Sequence, residues 1–188
     1  MGNLYIIAGP NGAGKTTAAM TVLPETFHVK EFVNADEIAR GLSPLNPEGM
    51  AIEAGKIMIR RIEQLILAKE NFSIETTLSS KNYMRLIKES HAKGYVVTLI
   101  FFYLNGWELA RQRVAQRVSK GGHNIPETDI ERRYYRGIQN LSAYMGIVDN
   151  WSLYDNSEGN YLPIARNVLG ERKIYNFELW DHIIKNEK

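Results

Sequence analysis

The sequence predicts an α/β fold, a mostly parallel sheet with helices on both faces, and three observations carry that prediction. Strand-like and helix-like segments alternate from end to end of the 188 residues. No Ser/Pro-rich linker, repeat or low-complexity tract interrupts them. The longest apolar run, residues 95–104, is β-branched and aromatic, as suits a strand buried on both faces. Strands separated by helices imply right-handed crossovers and parallel neighbours. Ligands of such sheets bind at the carboxyl ends of the strands.

Each element has its own signal. Residues 4–8 read as a short buried strand and 15–22 as a helix; 32–33 close a second strand running into Asn34-Ala35-Asp36. Residues 46–69 read as one long helix, with Pro47 suited to its first turn and Met50, Ile57, Ile62, Leu65 and Ile66 at helical spacing. Residues 72–74 form a third strand, 81–93 a helix and 95–104 the fourth strand. A helix over 107–118, the break Gly121-Gly122 and a helix over 126–146 follow. Strands at 151–154, 161–166 and 173–175 and a helix over 177–184 end the chain, so 1–188 is expected to be one domain.

The composition is that of an ordinary soluble domain: 44% hydrophobic, 23% charged, 15 Gly and 6 Pro. A chain this long builds a core without staples. It has no cysteine, which excludes disulfides, zinc–thiolate sites and cysteine nucleophiles. A net charge of +2 is too mild to predict nucleic acid or an anionic membrane as partner. Tyr134, Tyr135, Tyr144 and Trp151 read as packing residues, not as a stacking platform for bases. The apolar run at 4–8 is too short for a signal peptide or a membrane span, so a cytoplasmic location is expected.

Gly9-Pro10-Asn11-Gly12-Ala13-Gly14-Lys15-Thr16, followed by Thr17, fits the pattern Gly, any four, Gly, Lys, Ser or Thr. It follows an apolar strand and opens a helix, which the mechanism of a phosphate loop requires. Glycines let successive N–H groups turn around phosphate oxygens, and the helix N-terminus adds partial positive charge. Lys15 is placed to reach the β- and γ-phosphates of ATP or GTP, and the Thr16 hydroxyl to help hold Mg²⁺. In the empty loop Lys15 is expected to stand exposed. An Asn-Lys-x-Asp guanine reader and a Leu-Ser-Gly-Gly-Gln signature are both absent, and the fourth strand ends Tyr103-Leu104-Asn105 without a carboxylate. A small-molecule kinase plan with a P-loop NTPase fold remains.

Further residues fit that plan. Asp36 follows strand two, where a carboxylate can take the proton of an acceptor hydroxyl; it would also serve as N-cap of a helix at 37–40. Glu75 ends strand three, where a charge is costly unless used. Arg111, Arg113 and Arg117 precede the glycine break, and Arg132, Arg133 and Arg136 follow it. Two helices joined there make an Arg-rich lid, roughly 111–136, able to close over a triphosphate. His123 fits a hinge contact.

These segments resemble the zeta-toxin family of P-loop kinases, in its short, stand-alone branch. The likeness lies in Gly9–Thr17, Phe32-Val33-Asn34-Ala35-Asp36-Glu37-Ile38-Ala39, Ile74-Glu75-Thr76-Thr77-Leu78, residues 113–126 and Asp155-Asn156-Ser157. The resemblance implies ATP- and Mg²⁺-dependent phosphorylation of a small acceptor at a hydroxyl, UDP-N-acetylglucosamine being the family's compound. It makes Asp36 the base. It makes Glu75 a substrate carboxylate beside Thr76 and Thr77, with a Walker-B-like metal role as the competing reading. Arg117 and either Arg132 or Arg133 become the catalytic lid arginines, and Asp155-Asn156-Ser157 a place for the adenine. An antitoxin protein is the implied partner. A nucleotide-dependent switch of a toxin–antitoxin system, or a kinase for another small molecule, are the rival functions.

Overall fold

The computed structural model describes residues 2–122 and 124–185. The strands are β1 (Gly2–Ala8), β2 (Glu31–Val33), β3 (Phe72–Thr76), β4 (Tyr95–Tyr103), β5 (Asn150–Asp155), β6 (Leu162–Val168) and β7 (Glu171–Ile174). They form one seven-stranded sheet in the order β2-β3-β1-β4-β5-β6-β7. The pairs from β2 to β5 are parallel, and β6 and β7 are added antiparallel. The strand that feeds the phosphate loop lies between β3 and β4, so its end opens at the middle of the sheet.

Strand composition explains the burial. Leu4 and Ile6 on β1, Phe72 and Ile74 on β3, and Val97, Leu99 and Phe101 on β4 are all fully buried. Each such side chain contributes about 1.5–3 kcal/mol by leaving water. Truncating one of them, Leu99→Ala for instance, costs about 2–5 kcal/mol through lost burial and a cavity.

The helices are α1 (Lys15–Thr26), α2 (Ala35–Leu42), α3 (Ala51–Ala68), α4 (Tyr83–Ala92), α5 (Trp107–Ser119), α6 (Glu127–Met145) and α7 (Phe177–Lys185). The single helix expected over 46–69 is a 3₁₀ turn, Glu48–Met50, leading into α3. α3 buries Ala54, Met58, Ile62 and Leu65, and ends where Lys69 turns left-handed at φ 56°.

The helices flanking the Gly121-Gly122 break are rooted in the core. α5 buries Ala110 and Val114, and α6 buries Ile130, Tyr134, Ile138, Leu141 and Tyr144. Tyr134 OH donates to Leu104 O at 2.8 Å and Tyr144 OH to Ser80 O at 2.6 Å. Gly137 lies so close to the turn after β3 that a Cβ there would stand 2.5 Å from Thr77 O. The arginines at 111–136 therefore sit on helices anchored in the core. His123, read as a hinge contact, lies outside the described residues.

Candidate active site

The loop between β1 and α1 has the backbone of a phosphate cradle. Gly12 and Gly14 take φ 75° and 79°, which L side chains rarely adopt. Asn11 and Lys15 are buried. The expectation that Lys15 stands exposed is corrected: it is 6% exposed, its Nζ donating to Pro10 O at 2.9 Å and lying 3.6 Å from Glu75 Oε1. Burial pulls its ammonium below the ordinary lysine range; Glu75 and Asp36 oppose that pull, and Arg117 adds to it. Lys15 is thus held by a carbonyl of its own loop and by a carboxylate of β3. Thr16 is half-buried and Thr17 exposed.

Register brings Glu75 to the loop. Ile7 pairs with Glu75 and Ala8 with Thr76, so the carboxylate stands beside the last turn of β1. Glu75 Oε2 accepts from Thr16 Oγ1 at 2.7 Å and from Asn34 Nδ2 at 2.9 Å. A carboxylate joined to the loop hydroxyl is an oxygen donor set of the kind a hard cation takes. Such a contact is what a Walker-B-like metal role for Glu75 would need.

Asn34 settles the capping question. Its Oδ1 accepts from Asp36 N at 2.8 Å and Glu37 N at 3.3 Å, so Asn34, not Asp36, caps α2. Asp36 is the second residue of α2, exposed, with its carboxylate unused by the cap. The spacing Asn34-x-x-Glu37 was the available signal, since a capping residue three before Glu marks a helix start. A single buried asparagine thus holds both the Asp36 backbone and the Glu75 carboxylate.

Lys15, Asp36, Glu75, Thr76, Thr77 and Arg133 line one cleft of about 730 Å³. Met58, Ile59, Ile62 and Ile66 of α3 and Leu86 of α4 give it an apolar stretch, with Glu63, Arg85 and Glu89 of the same helices beside it. Tyr83, unremarked in the sequence, also lines it, and burial followed by the Asp36 charge pushes its phenol up.

The arginines divide. Arg133 faces the cleft, 4.0 Å from Asp129, whereas Arg132 is exposed and bonds Asp129 at 2.6 Å. Arg111 pairs with Glu127 across the two helices. Arg113 turns to the back of the loop, with its Nη2 donating to Ser157 O at 2.8 Å. Arg117 is felt at Lys15. In the segment named for adenine, Asn156 is 4% exposed, and Asp155 Oδ1 accepts from both the N and Oγ of Ser157.

A parallel sheet opening on a phosphate loop, with a carboxylate after the second strand and cations on the helices beyond, is the architecture of a P-loop kinase. The zeta toxin family model matches residues 3–161, and the chain belongs to that family. An uncharacterized Haemophilus influenzae protein is 31% identical over 129 residues, 67% of this chain and 88% of that one. Three of the solved structures that share the fold illustrate it. The AvrRxo1-ORF1:AvrRxo1-ORF2 complex with sulphate ions matches at TM-score 0.79 and 18% identity, over 97% of this chain and 63% of the matched one. The same complex is also solved with ATP, at TM-score 0.77. The PezAT chromosomal toxin–antitoxin system of Streptococcus pneumoniae matches at TM-score 0.66 and 16% identity, over 99% of this chain and 86% of the matched one. This chain thus spans under two-thirds of the matched AvrRxo1 chain. No helix among the described residues is long and apolar enough to cross a membrane.

Proposed function

We propose that the protein is a kinase that moves the γ-phosphate of ATP to a hydroxyl of a small acceptor bound in the cleft. The observation that carries this reading is that Lys15, Asp36, Glu75 and Arg133 line the same cavity. A mere nucleotide switch needs the loop but has no use for a free carboxylate across the cleft from it.

The loop N–H groups and Lys15 would bind the phosphates, Lys15 giving up its bond to Pro10 O when they arrive. Thr16, with Glu75 in reach of its hydroxyl, would hold Mg²⁺, whose chemistry is to neutralise phosphate charge. Asp36 would accept the acceptor's proton as its oxygen forms the new bond to phosphorus. Arg117 and Arg133 would stabilise charge on the group in transit. Thr76, Thr77 and the Glu75 carboxylate supply hydrogen-bonding partners for the acceptor on the floor of the cleft.

The family resemblance supports UDP-N-acetylglucosamine as the first acceptor to assay. That AvrRxo1-ORF1 is solved in complex with ORF2, and that PezAT is a toxin–antitoxin system, supports an antitoxin-like protein partner for this chain. The protein is then a cytoplasmic enzyme held in check by that partner. The test is incubation with MgATP and a panel of UDP-sugars and nucleosides, read by mass. A gain of one phosphate on a hydroxyl compound is expected. ATP hydrolysis with every acceptor unchanged would favour the switch.

A further inference from the structure

Three side chains that the phosphotransfer reading leaves unused grip the phosphate loop from behind. Arg113 Nη1 lies 3.5 Å from Gly12 O while its Nη2 bonds Ser157 O. Asn156 Nδ2 donates to Ala13 O at 2.9 Å. Tyr161 OH donates to Gly14 O at 3.1 Å. Three consecutive loop carbonyls are thus each met by a side chain from a different place in the chain: α5, the turn after β5, and the approach to β6.

A trans peptide is planar, so a carbonyl and the following N–H point to opposite sides. With the Ala13 carbonyl tied at the back by Asn156, and the Gly14 carbonyl shared by Tyr161 OH and the Ala18 N–H of α1 at 2.9 Å, the N–H groups of Gly14 and Lys15 face the front. These belong to the start of α1, where N–H groups have no intrahelical acceptor and are free for an anion. The Gly12 carbonyl likewise directs the Ala13 N–H, which closes the turn on Pro10 O at 3.2 Å.

Two of the contacts have a cost that packing alone does not explain. Asn156 is buried with its Oδ1 unpartnered, where an apolar residue would be cheaper. Tyr161 takes φ 49°, a left-handed conformation uncommon outside glycine. Its ring meets Phe102 edge-on at 5.2 Å, which aims the hydroxyl at the loop. A Cβ on Gly14 would stand 2.7 Å from Asn156 Nδ2 and 2.8 Å from Tyr161 OH, so this glycine and its two grips require one another.

We propose that Arg113, Asn156 and Tyr161 are positioning residues, a clamp that presets the loop backbone for the phosphates of a nucleotide. The proposal rests on the nucleotide reading of the loop and not on the acceptor. Tyr161→Phe removes one hydroxyl and keeps the ring, and Asn156→Ser shortens the second grip. Binding is read with a fluorescent MgATP analogue, displaced in turn by MgATP and by pyrophosphate, beside thermal melting. Tyr161→Phe is expected to weaken MgATP by about three- to tenfold, as befits one hydrogen bond. Pyrophosphate should weaken by the same factor, with a melting temperature close to wild type. The double variant should lose more than either single one. Unchanged MgATP affinity in Tyr161→Phe with lowered melting temperature would make the contacts fold glue and overturn the clamp. So would a loss for MgATP that pyrophosphate does not share, since the effect would then lie at the base. Failure of the wild-type protein to bind MgATP at all would instead remove the nucleotide reading, and the clamp with it.

Discussion

The two flanks of the phosphate loop meet it through different atoms. On the β2–β3 flank, Glu75 reaches the loop's side chains, bonding Thr16 and pairing with Lys15, and Asp36 stands open to the cleft. On the α5 and β5–β6 flank, Arg113, Asn156 and Tyr161 touch only backbone carbonyls. One flank carries charge toward a ligand; the other carries shape. Substitutions in front should therefore change the rate of transfer, and substitutions behind should change the affinity for nucleotide.

The largest effects should come from the loop and its cations. Lys15→Ala should cut phosphoryl transfer by more than about a thousandfold, because the phosphates lose their nearest fixed cation. Undiminished transfer would end the phosphate-loop reading. Arg117→Ala should slow transfer by about a thousandfold if it serves as an in-cis arginine finger, with ATP affinity much less changed. Equal falls in rate and affinity would make it a ground-state clamp. Arg133→Ala should cost about a hundredfold in kcat, whereas Arg132→Ala, removing only an exposed pair with Asp129, should stay within about twofold. A reversed order in steady-state assays would contradict the division of the two arginines. The smallest effect belongs to the back flank: Tyr161→Phe should raise the KM for ATP by a few-fold, as one hydrogen bond allows, and leave kcat near wild type. A fall in kcat there would blur the contrast between the flanks.

Much of the front flank was legible in the sequence, because its signals are local. The spacing of Gly9 to Thr16 specifies a loop between strand and helix, and apolar runs ending at Val33 and Ile74 place Asp36 and Glu75 at the same sheet edge. The back flank was not legible. Asn156 and Tyr161 lie more than 140 residues from the carbonyls they hold, and only the β5–β6 register brings them there. Arg113 and Arg117 share a helix face by spacing, yet one turns to the loop's back. What separates them is the approach of Gly12 to α5, where a Cβ would stand 2.9 Å from Arg113 Cβ. The antiparallel β6 and β7 carry no crossover helix between them, and strand composition alone does not state direction. Burial of Lys15 was missed because a lysine that bonds its own loop carbonyl has no sequence signature.

The central claim is that Asp36 takes the acceptor's proton, and Asp36→Asn tests it most directly. Asn34 caps α2, so this change removes charge and basicity without removing a cap. With MgATP and a responsive acceptor, transfer measured by mass is expected to fall by about a hundred- to ten-thousandfold. MgATP affinity and melting temperature are expected to match wild type. Transfer by Asp36→Asn within about threefold of wild type, per folded molecule, would contradict the claim, since a positioned base is worth far more than that.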